Sequence, residues 1–391
     1  MRQVKLRAVF MRGGTSRAIM FRRDDLPADR DAWAPIFLAA IGSPDPNGRQ
    51  LDGMGGGISS LSKVCVVGPA RDASADVDYT FAQVSIKEAA VDYSGNCGNM
   101  SSAVGPFAID EAMVAASGAE AVVRIHNTNT SKLIIARFPM DDGAAAVDGD
   151  LRLPGVAGSG APVRLDFMDP GGAGTGRLLP TGNASDMLEI PGASPIAASM
   201  IDAANPCVFV AASALGMTGV EMPEALEANR ALLDLLEAIR RTASVRMGIA
   251  PTPEAAARIP SIPKVALIAP PLDAPTLSGD RLAAGDCDLT VRMVSIGQPH
   301  RAVPLTGAMC LAVAARIPGT VAHRLARASE PAGSPIRIAQ PSGLTVVDAQ
   351  VDRTADQWIA RRATVYRTAR RLMDGYVYIR ACAISPSPRA R

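Results

Sequence analysis

Val91-Asp92-Tyr93-Ser94-Gly95-Asn96-Cys97-Gly98-Asn99-Met100-Ser101-Ser102 sets one cysteine on a Gly/Asn turn just before a helix-compatible run, Ala103 to Met113. The first amides of a helix have no intrahelical acceptor, and the helix dipole adds positive charge there. A sulfur at that place stands where an anion is favoured, and thiolate is the form that moves protons or attacks carbon. Carboxylates are held at helix mouths for the same reason. The segment therefore offers an acid/base group beside an anion site. A buried structural thiol is the plainer reading of any lone cysteine; the turn-to-helix placement shifts the balance toward chemistry at Cys97.

Outward from this turn, the helix-compatible run is rich in small residues. A comparable run, Leu305-Thr-Gly-Ala-Met-Cys-Leu-Ala-Val313, follows a strand and a Gly-containing turn later in the chain. Set against each other with Cys97 opposite Leu305, the two form a weak internal echo. Helices this small-residued suit a buried central place wrapped by strands. Two of them predict an α+β fold of two similar domains, with the helix N-termini lining a cleft between them.

Strand-like runs dominate the rest. Val4–Phe10, Val64–Val67, Tyr79–Ile86, Ala121–His126 and Leu133–Phe138 carry β-branched or alternating apolar residues. A second set comprises Val163–Phe167, Cys207–Ala211, Val265–Ala269, Leu289–Ile296, Ile336–Ala339, Leu344–Val351, Ala363–Arg367 and Tyr376–Arg380. Glu224–Arg241 has its apolar residues on one helical face. Gly171–Pro195 lacks periodicity and holds many Gly and Pro residues, so the boundary is expected there, with domains at about 1–183 and 184–375. Pro251–Pro263 reads as a loop, and the tail from Ser385 as frayed.

Bulk composition narrows the function. The 391 residues suit two or three domains, and 48% are hydrophobic, enough for a sizeable core. A net charge of +2 argues against a broad nucleic-acid or anionic-membrane surface, and 4% aromatics against base-stacking platforms. The six cysteines show no C-x-x-C spacing and read as free thiols in a reducing compartment. Three histidines far apart in sequence argue against a His-based metal site. There is no apolar signal region at the N-terminus and no run of 18 apolar residues. The expectation is a soluble cytoplasmic protein without metal or cofactor, for which a homodimer is compatible but not required.

Other segments offer polar groups. In Asp52-Gly-Met-Gly-Gly-Gly-Ile-Ser-Ser-Leu-Ser-Lys63, three consecutive glycines permit positive φ and close approach of backbone to a ligand. It is neither a P-loop nor a dinucleotide fingerprint. Lys63, beside Ser59, Ser60 and Ser62, opens an apolar strand and lines a cleft or is simply solvated. Arg12-Gly-Gly-Thr-Ser16 is a carboxylate or phosphate cradle, or a Gly-rich turn. Asn205-Pro206 fixes an amide at a strand start or marks a turn. His300 precedes the second small-residue helix; a lone histidine is more often structural. No G-x-S-x-G elbow is present.

Together these segments resemble the PrpF family of isomerases, within the diaminopimelate-epimerase-like superfamily. The resemblance runs from about Phe10 to Cys382. It is carried by Met11–Ser16, Asp52–Lys63, Asp76–Ile86, Val91–Ile109, Thr175-Gly-Arg-Leu-Leu-Pro-Thr-Gly-Asn183, Ile201-Asp-Ala-Ala-Asn-Pro206 and Leu305–Ala308. It implies two similar domains, each a strand-rich wrap around a central helix, an active site in the interdomain cleft, and a final strand (Tyr376–Cys382) returning to the first domain. It also implies cofactor-free proton shifts on unsaturated di- and tricarboxylates such as 2-methylaconitate, methylitaconate or oxalomesaconate. The epimerase relatives use a cysteine at each helix mouth. Cys97 matches the first, but Val303–Ala308 holds no second, so a two-thiol mechanism does not transfer. Lys63 matches the lysine of the family's Ser-Lys-Val segment. Arg17 and Arg177 replace lysines usual in the family, which keeps the charge but not its shape.

The expected acid/base pair is therefore Lys63 and Cys97. Arg12, Thr15, Ser16, Ser62, Asn96, Gly98, Asn99, Asn205, His300, Thr306, Gly307 and Ala308 are the expected substrate-binding residues. A base would remove an allylic proton, the dienolate would spread its charge onto a carboxylate, and an acid would reprotonate the allyl system. As base Lys63 must be neutral; as acid it must be charged. Isomerisation of 2-methylaconitate or aconitate comes first, with oxalomesaconate tautomerisation or methylitaconate isomerisation as alternatives. A non-catalytic carboxylate-binding accessory protein is the reading from another class, and an amino-acid racemase is disfavoured by the missing second thiol.

Overall fold

Lys63 to Gly68 is buried without a break, the pattern of a strand covered on both faces. Its two faces organise the first half of the chain. The computed structural model describes residues 3–328, 333–354 and 357–384, so the tail from Ser385 lies outside the described residues. The chain divides into two compact units, Met1–Leu165 with Tyr366–Arg391, and Asp166–Val365.

In unit 1 the order is β1 (Gln3–Gly13), β2 (Ser16–Arg22), α1 (Trp33–Ile41), β3 (Lys63–Pro69), β4 (Val77–Val84), β5 (Val91–Asp92), α2 (Gly98–Asp110), β6 (Glu120–Asn127) and β7 (Lys132–Asp141). β1 pairs antiparallel with β2, β2 parallel with β3, β3 antiparallel with β4, and β4 antiparallel with β5. β4 then pairs parallel with β6, and β6 antiparallel with β7. A late strand, Ala369–Arg380, lies antiparallel along β1 from Gln3 opposite Arg380 to Gly13 opposite Ala369. Val64 and Val66 face α1, packing with Trp33, Ile36, Phe37 and Phe21. Side chains alternate along a strand, so Lys63, Cys65 and Val67 face the other way. On that side Cys65 interacts electrostatically with Cys97, the N-cap of α2. α2 is buried from Met100 to Ile109. Gly105 is required there, since a Cβ would come within 2.7 Å of the Phe138 ring.

Unit 2 repeats this plan. Its elements are β8 (Ile196–Ala203), β9 (Asn205–Ala211), α3 (Arg230–Arg246), β10 (Lys264–Ala269), β11 (Leu289–Ser295), β12 (Gln298–Pro299), α4 (Leu305–Ala315), β13 (Ile336–Gln340) and β14 (Gly343–Arg353). The pairings recur in the same order and sense: β8–β9 antiparallel, β9–β10 parallel, β10–β11 and β11–β12 antiparallel, β11–β13 parallel, β13–β14 antiparallel. Val265 and Leu267 face α3, against Leu232, Leu236 and Ile239. α4 is buried from Gly307 to Ala315. Cys97 follows the end of β5 at the same spacing as Pro304 follows the end of β12, and each is the N-cap of its helix. The echo read from sequence is therefore real but one residue out of step: Pro304, not Leu305, answers Cys97.

Several elements differ from expectation. Glu224–Arg241 is two helices, Pro223–Ala228 and α3, broken at Asn229. The Asn229 side chain accepts from the Leu232 N–H at 3.1 Å and so starts the second helix afresh. Pro251–Pro263 contains a helical turn, Pro253–Ala257, with Thr252 as N-cap. The unit boundaries fall at 165/166 and 365/366 rather than near 183 and 375. The reason is visible at Asp202 of β8. Its Oδ2 accepts from the Gly174 and Thr175 N–H groups (2.8 and 2.6 Å), which ties the Gly-rich segment to unit 2. No helix among the described residues is long and apolar enough to cross a membrane.

Candidate active site

The mouth of α2 is built by residues that leave it open. Cys97 has extended backbone (φ −104°, ψ 97°), and no side chain caps the helix. The Cys97 carbonyl accepts from the Ser101 N–H (2.9 Å) and Ser101 Oγ (3.1 Å), anchoring the turn. The first-turn amides of Gly98, Asn99 and Met100 have no intrahelical acceptors. Asn96 steadies the approach: its Oδ1 accepts from Asn127 Nδ2 (3.2 Å) and Ser101 Oγ (3.3 Å). The Cys97 side chain remains partly exposed.

Lys63 begins β3 and is 7% exposed. Its Nζ donates to Gln83 Oε1 at 2.5 Å and lies 5.0 Å from the centre of the Phe81 ring. Gln83 Nε2 donates to the Ser62 and Ser59 carbonyls (2.9 and 3.1 Å), which fixes the amide so that its oxygen faces the amine. Among the described residues no carboxylate pairs with Lys63. Two residues along the same strand face is Cys65, whose buried thiol is pushed up by desolvation and by Cys97, and down by Tyr79 and Lys63. Cys65 Sγ lies 3.8 Å from Tyr79 Oη. Lys63 and Cys97 thus both act electrostatically on one buried sulfur, and burial keeps that sulfur protonated.

A second cluster surrounds Asn99 in the first turn of α2. Its Nδ2 donates to Thr15 Oγ1 (3.0 Å), and its Oδ1 accepts from Arg367 Nε (3.1 Å). Gly14 has φ +51°, and a Cβ there would collide with the Asn99 carboxamide. One Nη of Arg12 donates to the carbonyls of Gly14 and Thr368 (3.0 Å each) and to Thr368 Oγ1 (2.9 Å). Among the described residues neither Arg12 nor Arg367 pairs with a carboxylate. Burial, with a further push from Arg370, lowers the pKa of Arg12, and burial brings Arg367 down to about 10, which leaves Arg367 a cation at neutral pH. Arg367 thus brings a guanidinium to Asn99 in the first turn of α2, and a cation beside open helix amides has the chemistry to hold a carboxylate. Sequence reading missed Arg367. Its partner Asn99 is 268 residues away, and nothing local distinguishes it from Arg370 or Arg371.

Other expected residues serve the scaffold. Ser62 Oγ donates toward Gln50 Oε1 (2.7 Å) and the Ile58 carbonyl (2.8 Å), so it holds the Gly-rich loop rather than a substrate. The glycines of that loop pack on the protein itself: a Cβ at Gly55 would meet Gln50 and Ile41, and one at Gly56 would meet Leu61. They do not leave backbone free for a ligand. Ser16 is buried and Thr15 exposed. Arg17 lies over the Phe10 ring at 5.5 Å. A 710 Å³ cavity in unit 1, lined by Gly42, Asp45, Arg49 and Arg380 among others, includes none of Lys63, Cys97, Arg12, Asn99 or Arg367.

In unit 2, the contact of Asn205 Nδ2 among the described residues is a 3.4 Å approach to the Pro206 carbonyl. His300 Nε2 lies 2.6 Å from Ser295 Oγ. Burial, and then the charge of Lys264, push His300 down to about 4, so it is neutral at pH 7. Thr306 is half-buried at the start of α4. Gly307 is glycine because a Cβ would lie 2.5 Å from Met293 Sδ, and Ala308 is fully buried. Those two residues explain packing rather than binding.

Comparison with known proteins follows this geometry. A profile described as PrpF protein matches residues 3–380. The chain is 43% identical to a 3-methylitaconate isomerase of Eubacterium barkeri, over 96% of this chain and 98% of that one. It is 40% identical to a 2-methyl-aconitate isomerase of Shewanella oneidensis (96% and 97%) and 38% identical to a 4-oxalomesaconate tautomerase of Pseudomonas putida (97% and 97%). A crystal structure of methylitaconate-delta-isomerase matches with a TM-score of 0.92 and 40% identity, covering 100% of both chains. The α+β class expected from sequence agrees with that likeness.

Proposed function

Because the chain belongs to the PrpF family, we propose that it is an isomerase that shifts a proton, and with it a double bond, within an unsaturated di- or tricarboxylate. Lys63 and Cys97 are the acid/base pair. One of them takes the allylic proton, and the electron pair left on carbon delocalises through the double bond onto the adjoining carboxylate. A proton then returns to the far end of the allyl system, or to the same carbon after rotation, so no atoms are gained or lost overall. The developing oxyanion lies against the open amides of Gly98 and Asn99. Arg12, Arg367 and Thr15 hold a carboxylate beside them.

The observation that carries this reading is the setting of Lys63. A nearly buried amine is held on a neutral amide oxygen, beside an aromatic face, with no carboxylate pairing among the described residues. A structural lysine so enclosed is normally paired; one kept for proton transfer is better served by a neutral acceptor. The test is deuterium uptake from heavy water into substrate, followed by proton NMR. Lys63→Ala is expected to slow exchange by about a thousandfold and Cys97→Ala by about a hundredfold, the range of general acid–base effects. Near-normal exchange in both variants removes the pair from the mechanism.

2-Methylaconitate and aconitate are the leading substrates. The relatives named for methylitaconate and oxalomesaconate lie at similar identity, 43% and 38%, so the same NMR experiment is run on all four acids, watching vinyl and methyl signals. Exchange on one acid alone assigns the substrate.

A further inference from the structure

The Gly-rich segment that ends at Lys63 is held by one side chain, Gln50. This residue is buried and keeps a φ of +55°, a conformation that costs a non-glycine residue energy and persists where its surroundings enforce it. Its Oε1 accepts from the Gly57 N–H (2.9 Å) and lies 2.7 Å from Ser62 Oγ. Its Nε2 donates to Ser43 Oγ (2.8 Å), and its own N–H to Asp45 Oδ2 (2.6 Å). A Cβ at Gly55 would lie 2.3 Å from Gln50 Oε1, so glycine there leaves room for the amide. Gln50 thereby clamps both ends of the stretch from Gly57 to Ser62, which contains the helical turn Ser59–Leu61.

The clamped stretch presents the Ser59 and Ser62 carbonyls to Gln83 Nε2. Both amide hydrogens of Gln83 are used in this way, and a flipped amide would set an oxygen against two carbonyls. Only the orientation with Oε1 toward Lys63 Nζ satisfies every partner. Backbone pairing puts the same residue between the two reactive segments. Gln83 lies opposite Lys63 on β3 and opposite Asp92 on β5, the strand that leads into the Cys97 turn. A lysine amine rides on a flexible four-carbon stem; a fixed acceptor on one side and the Phe81 ring on another leave it few places to go.

We infer that Gln83, and behind it Gln50, position the Lys63 amine for proton transfer, with the Gly-rich segment as their frame. This rests on the proposed function for the role of Lys63. Proton transfer is steep in geometry, and a misplacement of about 1 Å costs on the order of a hundredfold in rate. Neither glutamine exchanges a proton or holds substrate, so both act on kcat and leave KM nearly unchanged. Gln83 acts directly on the amine; Gln50 acts through the stretch that holds Gln83.

Two arms test it on the full chain. In the first, steady-state kinetics, Gln83→Met is expected to lower kcat by about tenfold to a hundredfold with KM within about threefold. In Gln83→Glu the limb of the kcat–pH profile set by Lys63 is expected to move up by about one pH unit or more, because an opposite charge at that distance favours the ammonium. Gln50→Met is expected to lower kcat by about threefold to tenfold, and Gln50→Glu, which keeps acceptors for Gly57 and Ser62, to restore most of it. Unchanged kcat in folded Gln83→Met, or a raised KM at unchanged kcat, overturns the inference. So does an unmoved limb in Gln83→Glu, which decides alone if Gln83→Met does not fold. Wild-type kcat in Gln50→Met, or equal loss in both Gln50 variants, overturns the part given to Gln50. The second arm follows the Lys63 titration by NMR of isotope-labelled lysine without substrate, the signal being assigned by its loss in Lys63→Ala. The same upward movement is expected in Gln83→Glu, and no movement overturns the inference. This arm stands without catalysis, so its failure is separate from a failure of the isomerase reading, which shows as wild-type protein exchanging no substrate proton.

Discussion

The turn between β1 and β2 and the turn between β8 and β9 hold equivalent places in the two units, yet their side chains carry opposite charge. The penultimate residue of β1 is Arg12, and that of β8 is Asp202. Each turn contains a residue at positive φ, Gly14 at +51° and Ala204 at +60°. Among the described residues the acceptors of Arg12 are the Gly14 and Thr368 carbonyls and Thr368 Oγ1, all neutral. Asp202 is fully buried and bound by the amides of Gly174 and Thr175. The helix caps differ in the same sense. Cys97 offers a sulfur, whereas Pro304 offers neither a thiol nor an N–H. One backbone plan is therefore used twice, with a sulfur and an arginine in the first copy where the second has a proline and a buried carboxylate.

The sharpest way to break this contrast is at Arg367. If the cradle of unit 1 holds a substrate carboxylate, Arg367→Met removes a charge-assisted contact and should raise KM by about tenfold to a hundredfold, the equivalent of about 1.5–3 kcal/mol. Steady-state kinetics on the substrate identified by NMR decide it; a KM within twofold of wild type would show that Arg367 only anchors Asn99.

A smaller effect separates the two turns themselves. Gly14→Ala forces a Cβ into the Asn99 carboxamide at a positive φ and should cost about 2 kcal/mol in urea unfolding. Ala204→Gly, at the matching turn, relieves a left-handed alanine but loosens the unfolded chain. Its expected change is within about 0.5 kcal/mol. Equal effects at both sites would mean that Asn99 yields easily and that the turn of unit 1 is not shaped around it.

A last contrast concerns pH. His300 has a folded pKa of about 4 against an ordinary value of 6.5. The unfolded chain therefore binds the proton first. Stability from this group is complete above about pH 6.5, declines as pH falls toward 4, and declines no further below that. Urea midpoints at pH 7 and pH 4.5 should differ less in His300→Asn than in the parent protein. Lys264→Met should move the His300 titration upward when followed by NMR; no movement would show that burial alone sets it.

The repeat was only partly legible in the sequence. The strands rich in Val and Ile were readable because packing between two layers selects β-branched residues, as in Val64–Val67 and Val265–Ala269. The central helices showed through their small residues. β2, α1 and β8 gave no comparable signal. Ser16–Arg22 is short with polar ends, Trp33–Ile41 is apolar all round with Ala32 as an uncapped start, and Ile196–Ala203 is diluted by Ala and Ser. At the site, Lys63, Cys97, Arg12 and Asn99 sit in local motifs and could be named. Gln83 and Arg367 could not, because each matters only through a neighbour brought to it by strand pairing or by the return of the chain.

That return has a consequence for how the protein comes into being. Unit 2 is one unbroken stretch, Asp166–Val365, while unit 1 needs Tyr366 onward. Arg367 and the Thr368 that steadies Arg12 are among the late-made residues. On the ribosome the middle of the chain is able to finish folding while β1 still waits for its neighbour, Ala369–Arg380, to emerge. The Asn99–Arg367 and Arg12–Thr368 contacts are thus the last of these to form, so a nascent chain stopped short of position 367 would carry both Lys63 and Cys97 and still lack the guanidinium beside Asn99.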